Sequence, residues 1–352
     1  MSLFQKIIRR QFRKNETLLH PLNYLFWECT WRCNLACLHC GSDCQSDTTV
    51  KDMPFENFLK AIQPLKEKYK RDSIVVAITG GEPLLRSDLA DCGLRLRKEG
   101  FRWGIVTNGF AYTEAMHHKL LAAGMGAITL SVDGLEETHN WLRNNRHSFQ
   151  KAMQALDLIV SSPRLNYDVV TCVHQRNIHE LEAFKQLLIK HKVKTWRLFT
   201  IAPIGRAANN PEMMLDGKAL HQLMDFIVKS RKEGIIDVKF SCEAYVGNYE
   251  FKVRDSFFFC RAGINIASVL IDGSISACPN IHRSFVQGNI YQDNLSDVWD
   301  NKFDCMRNRT WMLTGICSHC KAFKNCGGGA MHLWNDKKES ILCCLYQKMN
   351  KI

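Results

Sequence analysis

Between residue 23 and about residue 234 the chain alternates between short runs that read as buried strands and longer stretches that read as amphipathic helices. The runs are NYLFWECT, SIVVAITG, FRWGIVTN, AITLSVDG, NYDVVTCV and TWRLFTIAP, each a few residues long and rich in β-branched and aromatic side chains. Helical patterns fill the gaps. FENFLKAIQPLKEKYK follows Pro54 and should kink at Pro64, while TEAMHHKLLAAG opens on Thr113 and closes on Gly124, as capping preferences predict. FQKAMQALDLIV, IHELEAFKQLLIK and GKALHQLMDFIVKSRKEG supply the rest. Repeated strand–helix units make parallel strands with right-handed crossovers. Six of them predict an α/β fold, an open, partial (β/α)6 TIM-like barrel with its active site at the C-terminal ends of the strands.

From about residue 256 the texture changes to cysteine, glycine and short apolar runs with little obvious core, so metal is expected to hold that stretch together. The expected organisation is a basic N-terminal helix at 1–22, the barrel at 23–215, a bridging helix and connector at 216–255, and a small cysteine-rich domain at 256–352. In the first segment Phe4, Ile7, Ile8 and Phe12 fall at helical spacing among Lys6, Arg9, Arg10, Arg13 and Lys14. That pattern predicts a short helix packed on the barrel; the competing reading is peripheral contact with a membrane or partner.

No window approaches the roughly 18–20 apolar residues needed to span a bilayer, and the start of the chain does not read as a secretory signal. The chain is therefore expected in the cytoplasm, where its 16 cysteines would stay reduced and serve metal or redox chemistry. The formal charge of +12 would be reduced by roughly one or two units for each iron–sulfur cluster bound. No nucleic-acid motif accompanies it, so nucleic acid is not an expected partner.

Cys33, Cys37 and Cys40 stand as C-x3-C-x2-C just after the first strand. Three thiolates cannot fill a four-ligand structural zinc site, but they can hold a 4Fe–4S cluster and leave one iron open. This loop, so placed, resembles that of the radical S-adenosylmethionine (SAM) superfamily. The resemblance implies that the open iron binds the amino and carboxylate groups of SAM, and that an electron from the cluster cleaves SAM to methionine and a 5'-deoxyadenosyl radical that abstracts hydrogen from substrate. It further implies that His39 lies near the adenine and that Gly80, Gly81, Glu82 and Pro83, ending the second strand, meet the SAM amino group. Asn108 ends the third strand; Ser131 and Asp133 end the fourth and would meet the ribose or methionyl end. Arg143, with Arg146 as the substitute, would pair with the SAM carboxylate, and Ile204 after the sixth strand would pack on adenine. Cys29 and Cys44 have no part in the motif.

Cys260 and Cys278, the latter in a G-x4-C phrase from Gly273, precede Cys317, Cys320 and Cys326 in C-x2-C-x5-C, and Cys343 and Cys344 follow. This resembles the SPASM domain, an extension of radical SAM enzymes that generally holds two auxiliary 4Fe–4S clusters. The resemblance implies that Cys317, Cys320, Cys326 and one of Cys343 or Cys344 hold the second of these; a zinc site is the alternative. Cys260 and Cys278 match the first, but Ala330 stands where the pattern has a further cysteine. The spare member of the Cys343–Cys344 pair, Cys305 or His332 would take its place, or the cluster is absent or open. Pro279 likewise replaces the aspartate base of sulfatase-maturing relatives, leaving Asp272, Glu243 and Tyr245 as candidate bases.

The expected function is a radical SAM maturase that crosslinks, oxidises or epimerises a peptide or protein. Its donor would resemble flavodoxin or ferredoxin, and FRKNETLLHPLNYLFWECT and CGGGAMHLW add a likeness to a subgroup that acts with a small lipoprotein. The 22 residues before the first strand are too few for a leader-binding domain, so recognition would fall to the tail or a partner. An enzyme of small molecules or cofactor precursors is the first alternative, and a non-catalytic metal-binding scaffold the second.

Overall fold

All six expected strands are present in the computed structural model, which describes residues 3–241, 243–335 and 339–350, with backbone alone for 3–6. They are β1 (Tyr24–Glu28), β2 (Val75–Thr79), β3 (Arg102–Thr107), β4 (Ala127–Ser131), β5 (Asn166–Val173) and β6 (Thr195–Thr200), paired in parallel in chain order. Helices between successive strands cover the outer face, and the whole is a TIM-like partial barrel. Pro64 splits its helical stretch into Phe55–Ile62 and Leu65–Lys68, because proline has no N–H to continue the ladder. Thr113 caps Glu114–Ala122 by accepting from the Met116 amide. Within the barrel Trp27 stacks on Phe58 at 4.6 Å, both fully buried.

Four further strands extend the sheet. β7 (Asp237–Phe240) pairs with β6, and on the other edge β8 (Ile266–Val269) pairs with β1 in parallel. β9 (Ser274–Ser276) and β10 (Gly288–Asn289) then follow β8 in antiparallel fashion. The expectation that the tail lacks an apolar core is not met. Phe285, Trp299, Phe303, Met331 and Trp334 belong to the same buried cluster as the barrel residues. The cysteine-rich stretch thus borrows its core from β1 and the sheet it extends, which composition alone does not reveal.

The N-terminal helix, Leu3–Leu19, is indeed packed, but chiefly against the tail. Phe12 meets Phe257 and Phe259 edge-on, and the Arg9 guanidinium donates to the carbonyls of Phe258 (2.7 Å) and Asn325 (2.6 Å) while lying over Tyr245 and Phe257. Ile7, Ile8, Leu18 and Leu19 face outward; the side chains of Phe4 and Lys6 fall outside the described residues. Among the described residues no helix is long and apolar enough to cross a membrane.

Candidate active site

The loop that leaves β1 is held on three sides through its backbone carbonyls. The Gly81 amide donates to the Thr30 carbonyl (2.8 Å) and the Glu82 amide to the Arg32 carbonyl (2.9 Å). A Cβ on Gly80 or Gly81 would lie 2.2 Å from the Thr30 or Arg32 oxygen, so one role of these glycines is to let β2's end touch the cysteine loop. From the far side Arg206 donates to the carbonyls of Cys37 (2.8 Å) and Cys44 (3.0 Å), and its amide to that of Cys40 (2.9 Å). Arg86 holds the Cys29 carbonyl (2.9 Å), behind the loop. Arg206 escaped the sequence reading because its partners lie more than 160 residues away; only its position at the end of β6 hinted at a role.

Within this frame Cys33, Cys37 and Cys40 converge. Burial pushes the Cys33 thiol up to about 11 and raises Cys37, whose sulfur the Arg143 guanidinium meets at 3.6 Å. The Cys44 thiol hydrogen-bonds to Cys40 and lowers its pKa. The Asn108 amide donates to Asn34 Oδ1 (2.9 Å) and stands 4.0 Å from the Cys33 sulfur.

The strand ends around the loop form a buried polar ring. Glu82 accepts from Thr107 Oγ1 (2.7 Å) and from the amides of Asn108 (2.8 Å) and Leu84 (3.2 Å), yet its burial pushes its pKa up to about 7. Pro83 opens the turn that follows. Ser131 ends β4, half-buried. Asp133 accepts from Arg143 at 2.6 Å and from the Cys172 amide at 2.9 Å; although fully buried, it is held near 2, chiefly by the opposing charge of Arg143. The Asp133 amide donates to His139 Nδ1 (3.0 Å), which leaves Nε2 to donate to Ser148 (3.0 Å). Arg143 is thus already engaged by a carboxylate and a cysteine, whereas Arg146 is exposed and contacts His147. His39 lies beside Asp133, its pKa lowered by burial to about 3, with Nδ1 buried and unpartnered among the described residues. An orphaned imidazole nitrogen beside three convergent thiols fits a ligand that carries its own donors.

Above the loop, a cavity of about 420 Å³ separates barrel from tail; its lining includes Glu28, Trp31, Ile204, Arg283 and His332. Glu28, the last residue of β1, was missed. A lone carboxylate closing an apolar run was the available signal; burial raises its pKa, and it accepts from the Ile271 amide (2.9 Å). None of the three candidate bases lines this cavity. Asp272 is ion-paired with Arg283 (2.6 Å), and Tyr245 packs beneath Arg9. Glu243 is buried and takes the amide (2.6 Å) and hydroxyl (2.9 Å) of Thr200.

Burial raises Glu243 from 4.5 to about 7, which makes stability depend on pH. A raised carboxyl pKa contributes fully below about 4.5 and is lost as pH rises through about 7. Glu243→Gln keeps an acceptor for Thr200 and removes the titration. Denaturation between pH 5 and 8 should therefore show the variant gaining about 3 kcal/mol on the parent as pH rises.

In the tail, Cys317, Cys320, Cys326 and Cys344 stand within reach of one another's charge. Burial and these neighbours push Cys317 up to about 11 and Cys326 up to about 12. Cys343 faces Lys348 and Glu243 instead. Among the described residues the group with ligand atoms all within 4.8 Å is His39, Asp133 and Cys172. Cys260, Cys278 and His332 line a second cavity, of about 250 Å³, while Ala330 is fully buried. Arg13 reaches in from the N-terminal helix between Cys326 and Cys260, and burial lowers its pKa to about 10.

A partial barrel with this loop at its first strand end defines a class of protein, and comparison bears it out: residues 27–188 match the radical SAM superfamily. Residues 260–321 match the SPASM iron–sulfur cluster-binding domain. The chain thus carries a radical SAM domain followed by a SPASM domain, and SAM and 4Fe–4S clusters are the cofactors of this pairing. It is 23% identical over 345 residues to the AdoMet-dependent heme synthase of Methanosarcina barkeri, covering 92% of this chain and 97% of that one. To the mycofactocin maturase MftC of Mycolicibacterium smegmatis it is 27% identical over 326 residues, 87% of this chain and 77% of that one. In fold it resembles anSMEcpe solved with AdoMet and the Cp18Cys peptide, with a TM-score of 0.72, 19% identity, and 94% and 95% of the two chains covered.

Proposed function

We propose that this enzyme modifies a side chain of a peptide or protein by hydrogen abstraction. In this reading Cys33, Cys37 and Cys40 hold the SAM-binding cluster, and Cys317, Cys320, Cys326 and Cys344 an auxiliary one. Bound there, SAM and its cluster supply the 5'-deoxyadenosyl radical. The protein's part is positional. Asn108 and Arg143 face two cluster sulfurs, the Gly80–Gly81 backbone and Arg206 hold the loop, and Asp133 fixes Arg143. Ile204 and Trp31 wall off water on the barrel side of the cavity, and Glu28, whose pKa burial raises, is a buried carboxyl able to give or take a proton there.

The observation that carries the peptide reading is that two cavities lie side by side along the tail, with Ile281 and His332 in the walls of both, in place of one enclosed pocket. Similarity to MftC supports it. An external one-electron donor of the flavodoxin or ferredoxin kind would reduce the clusters. A small lipoprotein precursor suits the outward face of Ile7, Ile8, Leu18 and Leu19, which would meet its lipid or the membrane beneath it. The second reading is a small molecule bearing carboxylates. It is favoured by similarity to the heme synthase.

Anaerobic reconstitution followed by dithionite-dependent conversion of SAM to 5'-deoxyadenosine tests the chemistry. Cys33→Ala/Cys37→Ala/Cys40→Ala should lose roughly four irons per chain and reduce cleavage by at least about a thousandfold. Deuterium transfer into 5'-deoxyadenosine then separates the substrates: label from a deuterated peptide library supports the proposal, and label solely from a carboxylated tetrapyrrole overturns it.

A further inference from the structure

We infer that His332 is an iron ligand, completing with Cys260 and Cys278 an auxiliary iron–sulfur site that carries nitrogen ligation. The inference depends on the iron–sulfur character of the tail and not on which substrate is used. Its starting point is a deficit: two cysteines cannot secure a cluster, and Ala330, where a third thiol is expected, is fully buried with nothing to donate. Two residues on, the short turn Met331–Leu333 brings the His332 ring to the wall of the cavity that Cys260 and Cys278 also line. The imidazole is half-buried and its nitrogens are available on that wall, since no hydrogen bond holds the ring among the described residues.

The competing donors are placed less well. Cys305 accepts from the Gln287 amide at 3.6 Å and does not line this cavity. Cys343 lies in the field of Lys348 and Glu243, and Cys344 stands with the other tail set. Neutral imidazole is a competent ligand to iron in iron–sulfur centres, and replacing thiolate with it raises the reduction potential. Two thiolates and one imidazole make a three-point attachment, the number supplied by the loop after β1. His332 also lines the 420 Å³ cavity, so the proposed site abuts the chamber assigned to substrate.

The test uses the full chain bearing Cys33→Ala/Cys37→Ala/Cys40→Ala, so that iron signals come from the tail alone. After anaerobic reconstitution and reduction, pulsed EPR should detect strong ¹⁴N coupling that changes isotope pattern when the histidines are ¹⁵N-labelled. His332→Ala should abolish that coupling and lower iron by roughly two to four atoms per chain. Ala330→Cys/His332→Ala should restore the iron without nitrogen coupling and at a lower potential, which also shows that the fold survives the change. Three results would each overturn the assignment: no nitrogen coupling in the parent, coupling and iron unchanged by His332→Ala, or iron lost with Cys305→Ala and retained with His332→Ala.

Discussion

Arg143→Met is expected to destabilise the fold by about 3–5 kcal/mol and to abolish SAM cleavage. The first effect follows from Asp133, whose carboxylate is fully buried and takes two guanidinium contacts at 2.6 Å. Without Arg143 that charge keeps a single backbone amide, that of Cys172. The second follows from the contact of Arg143 with the Cys37 sulfur. Urea melts measure one effect and 5'-deoxyadenosine formation the other. Arg143→Met/Asp133→Leu separates them, because replacing both members of a buried ion pair with apolar groups is often close to neutral. The double variant should recover most of the stability and none of the cleavage. Recovery of both would confine Arg143 to holding the fold together.

Gly205→Val should strip the SAM-binding cluster from an otherwise folded protein. Gly205 has φ +55°, and a Cβ there would fall 2.4 Å from the carbonyl oxygens of both Cys40 and Gly41. The left-handed backbone costs about 1–2 kcal/mol for a residue with a Cβ, and overpacking adds about 1–3 more; the cysteine loop is what yields. Iron should fall by roughly four atoms per chain with far-UV circular dichroism unchanged. Gly234→Ala is the control. Its φ is +70°, nothing lies within 4 Å of the added Cβ, and iron should stay at the parent level.

The barrel was readable because each of its strands is a self-contained run, such as VVAIT or AITLS, whose type follows from local chemistry. β7 was not, because DVKF is four residues with two charges and becomes a strand only by pairing with β6. β8 was hidden for the same reason: its partner, β1, lies some 240 residues earlier. The site divides likewise. Spacing along the chain marks Cys33, Cys37 and Cys40, but nothing local distinguishes Cys344 from Cys343; their neighbours do. The link between Arg206 and the cysteine loop, and the place of Glu28 in the cavity wall, exist only across long separations.

The anchoring of the first helix has a consequence for biosynthesis. Arg9 docks on carbonyls 249 and 316 residues further along, and the carbonyl of His20 waits for the indole of Trp299. At ribosomal speeds of about 5–20 residues per second, the Asn325 carbonyl is made roughly 15–60 s after Arg9. Throughout that interval the helix emerges before its binding partners exist, with Ile7, Ile8, Leu18 and Leu19 on one flank and an unburied Arg9 on another. Nascent chains therefore present an amphipathic, cationic segment to chaperones and anionic surfaces that finished molecules conceal in part. The helix finds its place only after Phe258 and Asn325 have both been made.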